Sequence, residues 1–160
     1  MKKEDVVVEN LSMSNNKQNY FELLNLPIEF EIDKNKLRTN YIKLQQLFHP
    51  DKLINKSSAE RVIGATNAAN LNHVYKVLGD DKKRAEYLLL LSNIIVNTDD
   101  SNVKPDISML AEIMELSENP DKDVIELLKK EAWKVFNENY PTDLEKAAQA
   151  IIKLQYLTKL

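Results

Sequence analysis

Cysteine is absent from the 160-residue chain, which excludes disulfides, thiol catalysis, zinc ribbons and iron-sulfur ligation by this chain. Glycine is scarce too. Two glycines against five prolines argue for helices over a turn-rich β fold and leave no glycine-rich phosphate loop. Of the two, Gly64 falls inside a predicted helix and is read as a mark of close helix packing or as a mild weakness. The longest apolar run, Tyr87 to Leu91 with Ile94 to Val96 beyond, is far short of a bilayer span. Residues 1 to 18 hold neither an apolar signal core nor an arginine-rich bias, so no membrane partner or export is expected and a reducing cytoplasm is. With two histidines and no metal-spaced cluster, no set of titratable groups converges on an enzyme, and no cofactor or metal is expected.

What is present is ordinary globular composition, 43% apolar and 29% charged, enough for one domain or two small ones. Net charge is −3, and it is unevenly spread. The chain to Asn97 carries +2 and the remainder −5. Residues 34 to 48 hold Lys34, Lys36, Arg38 and Lys43 with no acidic residue. A basic helix face invites an acidic partner. Nucleic acid is not expected, given the net acidity, the small number of cations and the lack of interleaved aromatics.

The chemistry-bearing string is His49-Pro50-Asp51-Lys52. A given tetrapeptide occurs by chance in about one in 10³ chains of this length, so its context decides its meaning. Upstream, Asp33 is an N-cap, and Leu37, Tyr41, Leu44 and Phe48 line one face of a helix. Pro50 forbids continuation. Downstream, Ser57 or Ser58 caps a second helix carrying the stripe Val62, Ala65, Ala69, Asn72 and Leu78, with Gly79 as a permissive C′ residue. The two helices run antiparallel with residues 49 to 56 exposed at the turn.

The chain resembles the HscB family, the J-domain co-chaperones of iron-sulfur cluster assembly. The resemblance rests on Tyr20-Phe21-Glu22-Leu23-Leu24 with Leu26-Pro27, the His-Pro-Asp-Lys turn, Asn72, Arg84-Ala85-Glu86-Tyr87-Leu88-Leu89, and Lys153-Leu154, Leu157 and Lys159-Leu160 at the end. It implies an all-α fold in an L-shaped two-domain arrangement: a flexible tail (1–18), a J-domain (19–96), a linker (97–104) and a C-terminal three-helix bundle (105–160). It further implies that His49, Pro50, Asp51 and Lys52, with Arg38 and Lys43, dock on a dedicated HscA-type heat-shock ATPase chaperone and stimulate its hydrolysis. Asp51 is then the partner of a chaperone arginine, and His49 shapes the loop. Asn25 stands where relatives carry Gly, a change tolerable because Asn also enters the left-handed region. Ile42 stands where many carry another cation, and Val74 where Ala is usual.

The C-terminal unit also reads directly. Asp106 caps a helix to about Glu118, on which Ile107, Leu110 and Met114 make one apolar stripe and Met109, Ile113 and Leu116 another. A helix from about Asp121 to Glu138 contributes Val124, Ile125, Leu128, Ala132, Val135 and Phe136. The last helix is doubled in the same way, with Leu144, Ala147, Ile151 and Leu154 beside Ala148, Ile152 and Tyr156. Three helices with a spare apolar surface imply a partner or a dimer interface. By the resemblance, Leu110, Ala111, Met114, Glu115, Glu118 and Tyr156 bind an IscU-type iron-sulfur scaffold, the alternative being that they close the bundle core. The run Tyr87 to Leu91 is expected to bury between domains. A purely structural dimerisation module is the competing reading from another class, and it leaves His49 without a role.

Overall fold

The computed structural model describes residues 18–96 and 99–160. The tail, with its Val6-Val7-Val8 run, lies outside the described residues but for Gln18, and so do positions 97 and 98 of the polar joint. Among the described residues there are eight helices and no strand: α1 Tyr20–Leu23, α2 Lys34–Leu47, α3 Pro50–Leu53, α4 Ser58–Gly79, α5 Asp81–Leu91, α6 Ile107–Glu118, α7 Lys122–Asn139 and α8 Leu144–Leu157. Contacts divide the chain into two compact units, one ending at Arg84 and the other Ala85–Leu160. None of the described helices is long and apolar enough to cross a membrane.

In the first unit, α2 starts where its cap says it should. The Asp33 carboxylate accepts from the N–H groups of Asn35 and Lys36, two of the four amides a helix start leaves without a partner. Helix α4 opens on a full capping box, Ser57 Oγ accepting from Glu60 N while Glu60 Oε2 accepts from Ser57 N. The two helices pack against each other, tied midway by stacked rings of Tyr41 and Tyr75, 4.0 Å between centroids, and by the Tyr41 hydroxyl on Asn72 Oδ1. Asn25 has φ 51°, the left-handed conformation for which Asn substitutes for Gly.

Two expectations for α4 are corrected. Its buried face is Gly64, Asn67, Leu71, Val74 and Leu78. Of the anticipated stripe only Leu78 is inside, and Val62 is 65% exposed. Leu78 is common to both sets, and the difference lies in Leu71 and Val74 against Val62 and the small Ala65 and Ala69, so the face with the larger side chains turns inward. Gly79 is the last residue of the helix rather than a left-handed C′, and no glycine has positive φ. The helix end is closed by a side chain instead: Nη1 of Arg84 donates to the carbonyl of Leu78 at 2.7 Å.

In the second unit α8 is the central helix, with Ala147, Ala148, Ala150, Ile151, Ile152, Leu154 and Leu157 all buried. Its second apolar stripe is therefore not a spare surface. Three alanines on one helix allow neighbours to approach from several sides. Helix α7 packs along it through Ile125, Ala132 and Phe136. From α5, Ala85, Leu88 and Leu89 are buried whereas Leu90 and Leu91 are largely exposed, and Glu86 Oε1 accepts from Gln155 Nε2 of α8 at 3.1 Å.

The described part of the polar joint is a bonded turn. Asn102 accepts from Ile95 N and donates to Asn93 O, and Ser101 Oγ donates to Ile95 O. Asp106 stands at the N-cap of α6 but its carboxylate makes no cap bond. Gln149 of α8 instead holds the backbone leading into the helix, accepting from Asp106 N at 3.0 Å and donating to Lys104 O at 2.7 Å.

Candidate functional site

The His-Pro-Asp-Lys string folds as its own small element. Pro50 is the first residue of α3, where its missing N–H is no loss because the first helical amides have no internal acceptor. His49 is the N-cap: its Nδ1 accepts from Asp51 N at 3.2 Å. The same Nδ1 lies 3.4 Å from Asp51 Oδ2. The side chains of His49 and Asp51 are 59% and 80% exposed, so the turn presents a shaped backbone and a hydrated carboxylate to solvent.

The cations expected beside it are distributed unequally. Arg38, Lys43 and Lys52 are exposed and form no ion pair with any described residue. Lys34 is engaged, 3.6 Å from Asp81 Oδ1. Arg38 and Lys43 are five positions apart on α2, so they flank the outward face of the helix rather than stack on it. Ile42, 39% exposed, lies between them.

Sequence reasoning quoted Arg84 only as part of a motif and missed what it does. Only 3% of its surface is exposed, and its guanidinium donates from Nε to Phe30 O, from Nη1 to Leu78 O and from Nη2 to Asp81 Oδ1, at 2.7, 2.7 and 2.8 Å. It also lies over the Phe30 ring, 4.8 Å from the centroid. One planar fork thus ties the segment before α2 to the end of α4 and the start of α5. Partial burial works to raise the Asp81 pKa, but the Arg84 hydrogen bond and charge, with the Lys34 charge, outweigh it and hold the carboxyl below its ordinary value. No spacing rule marks such a residue, because its three acceptors are distant in sequence or lie at helix ends.

In the second unit, α6 separates its two stripes. Met109 and Ile113 are buried, and Leu116 packs on the cluster of Ile113, Ile125 and Leu157. Leu110, Ala111, Met114, Glu115 and Glu118 share the other face: Leu110 is half-buried, the rest exposed, Met114 by 69%. Ile107, 86% exposed, continues that face by one turn. Tyr156 is different. It is half-buried on the same core cluster as Leu116, with the Lys159 ammonium 5.8 Å from its ring centroid. A cavity of about 640 Å³ opens elsewhere on the unit, beside Met109, Glu112, Glu131, Asp143 and Gln149, and none of the six expected scaffold residues lines it.

Comparison with known proteins bears on the fold and the family. The DnaJ domain family matches residues 19–87. A co-chaperone protein HscB homolog of Vibrio cholerae serotype O1 is 42% identical over 100 residues, 62% of this chain and 58% of the relative, so the aligned part spans little more than half of that protein. Among solved structures, the chaperone HscB from Vibrio cholerae superposes with a TM-score of 0.71 at 30% identity, covering 89% of this chain and 92% of that one. The human co-chaperone protein HscB gives 0.72 at 28% identity, covering 91% and 79%. Family match, sequence identity and a superposition that covers 89% of this chain together establish that the chain belongs to the HscB family.

Proposed function

We propose that this protein is a co-chaperone of iron-sulfur cluster assembly in a bacterial cytoplasm, with no catalytic chemistry of its own. Its first unit stimulates an HscA-type ATPase of the heat-shock class, and its second brings an IscU-type scaffold to that ATPase. The observation that carries the reading is the His49-capped turn. It is exposed, held in one shape by local bonds and stiffened by Pro50, so docking costs little ordering entropy. It offers the Asp51 carboxylate for a charge-assisted bond to a cation on the ATPase. Arg38, Lys43 and Lys52 supply positive charge around it for an acidic surface.

The scaffold side rests on the outward face of α6. Leu110, Ala111 and Met114 make an apolar centre with Glu115 and Glu118 at its edge, and Tyr156 adds a half-buried aromatic anchor. An apolar centre with a charged rim fits a partner of opposite rim charge. Holding scaffold and ATPase at once raises the effective concentration of one at the other.

The test is the steady-state ATPase rate of the heat-shock chaperone with the full chain added, alone and with scaffold. Stimulation is expected, larger with scaffold, and lost in His49→Gln while the far-UV circular dichroism is unchanged. A native protein that leaves the rate at its basal value rejects the reading.

A further inference from the structure

The turn that carries Asp51 is too small to hold itself in place. A four-residue helix is far below the length at which helices are stable alone. Pro50, Asp51 and Lys52 are all exposed, the bonds Lys52 N to His49 O and Asp51 N to His49 Nδ1 fix the shape of the turn, and a bond of 3.4 Å from His49 N to Gln46 O ties only its first residue to the end of α2. Leu53 is the one residue of α3 that is not exposed.

Leu53 lies directly over Gly64. A Cβ built on Gly64 would stand 2.5 Å from Leu53 Cδ1, 3.4 Å from Cδ2 and 3.6 Å from Cγ. The whole isobutyl end therefore occupies the space where a side chain of α4 would be. Glycine is a poor residue for the interior of a 22-residue helix. Its backbone here does not call for it, since no glycine has positive φ. The other glycine, Gly79, has nothing within 4 Å of the same constructed position. Space for Leu53 is what distinguishes Gly64.

We infer that Leu53 and the notch at Gly64 are positioning residues: together they set how His49, Pro50 and Asp51 are presented on the α2–α4 hairpin. This rests on the function proposed above for that turn. Leu53 is two residues from Asp51 within a single helical turn capped by His49, so a displacement of Leu53 moves the carboxylate with it. Filling the notch lifts the turn, and emptying it lets the turn swing.

The experiment compares the full chain with Gly64→Leu, Leu53→Ala and the double variant, titrating each into the ATPase. The concentration giving half-maximal stimulation is expected to rise about tenfold in Gly64→Leu and several-fold in Leu53→Ala, at an unchanged plateau rate. It should return to within about threefold of native in the double variant, where knob and notch have changed sides. Gly64→Ala, which favours the helix while its Cβ presses on Leu53 Cδ1, accompanies the series in case Gly64→Leu does not fold. It should bring a smaller loss of the same kind with no fall in melting temperature. A structural role alone would lower melting temperature and activity together. Single variants within about twofold of native, or losses that multiply in the double variant, overturn the inference. Amide chemical shifts of residues 49 to 54 separate this from a failure of the functional reading. If native protein does not stimulate at all, shifts that move in Gly64→Leu and revert in the double variant still uphold the seat, and shifts that stay put reject it.

Discussion

Replacing Arg84 with Met keeps the length and apolar stem of the side chain and removes its three donors. The carbonyl of Leu78, among the last four of α4 and so without an intrahelical partner, loses the bond that closes the helix. The partly buried carbonyl of Phe30 loses its bond as well. Each such group left unpaired costs about 1–3 kcal/mol. The Asp81 contribution is small, because that carboxylate side chain is 53% exposed and water screens it. Against these losses stands the relief of no longer burying a guanidinium. A net of about 3 kcal/mol follows, against the roughly 4–10 kcal/mol that holds together a unit of this size. At about 4–8 °C per kcal/mol for a small domain, the first unit should melt about 12–24 °C lower.

Two signals separate the units. Circular dichroism at 222 nm follows all helices, whereas Trp133 on α7 is the only tryptophan and its fluorescence follows the second unit. Arg84→Met should add an early phase to the dichroism melt while leaving the Trp133 transition in place. Arg84→Lys, with one ammonium in place of a three-way fork, should fall about midway. An early phase shifted by less than about 4 °C in Arg84→Met would refute the assignment of Arg84 as the tie that holds this unit, since that is under about 1 kcal/mol.

Three further outcomes are expected. The depressed Asp81 pKa adds stability that is fully present above the unfolded value of 3.8 and is lost as pH falls through the lower folded value; native protein should therefore lose melting temperature faster than Asp81→Asn between about pH 4.5 and 2, and parallel curves would contradict the coupling. Met114→Asp places a charge at the middle of the exposed face of α6 and should weaken scaffold binding, measured by calorimetry, by more than about tenfold with no change in melting temperature; affinity within about twofold of native would remove Met114 from the interface. Asn67 is 1% exposed and its Nδ2 has no hydrogen-bond partner among the described residues; Asn67→Ala should raise stability in urea by about 0.5–1 kcal/mol, relief of the unpaired amide and better helix propensity outweighing a small void, and a loss of about 1 kcal/mol or more would mean that the amide is satisfied.

The parts of this molecule legible from sequence are those governed by short-range rules. Asp33 and Ser57 cap their helices because the capping geometry spans only three residues. Pro50 ends one helix and begins another for a reason contained in its own ring. Asn25 adopts positive φ where the resemblance had a glycine. On α6 the doubled stripe was visible as a surplus, and the structure resolves it with Ile113 in the core and Met114 outside. The turn at His49 to Lys52 was legible because residue order alone, helix breaker between two amphipathic stretches, makes it a turn.

What sequence reasoning missed depends on which of several compatible arrangements the chain buries best. Helical spacing admits several faces for α4, and the choice goes to Leu71, Val74 and Leu78 by buried area, a sum over neighbours that no local window contains. Gly79 looked like a left-handed terminus because that is the common local device, but Arg84 closes the helix from five residues beyond it, and its bond to Phe30 lies 54 positions back along the chain. Asp106 reads as a cap, yet the bond at that helix start comes from Gln149, 43 positions away. Gly64 follows the same logic: its meaning lies in Leu53, on a different element. A buried contact between elements leaves at each end only a residue that is slightly wrong for its own helix, such as a glycine in mid-helix or an arginine ahead of an apolar run. Those local misfits are where the long-range contacts of this fold are made.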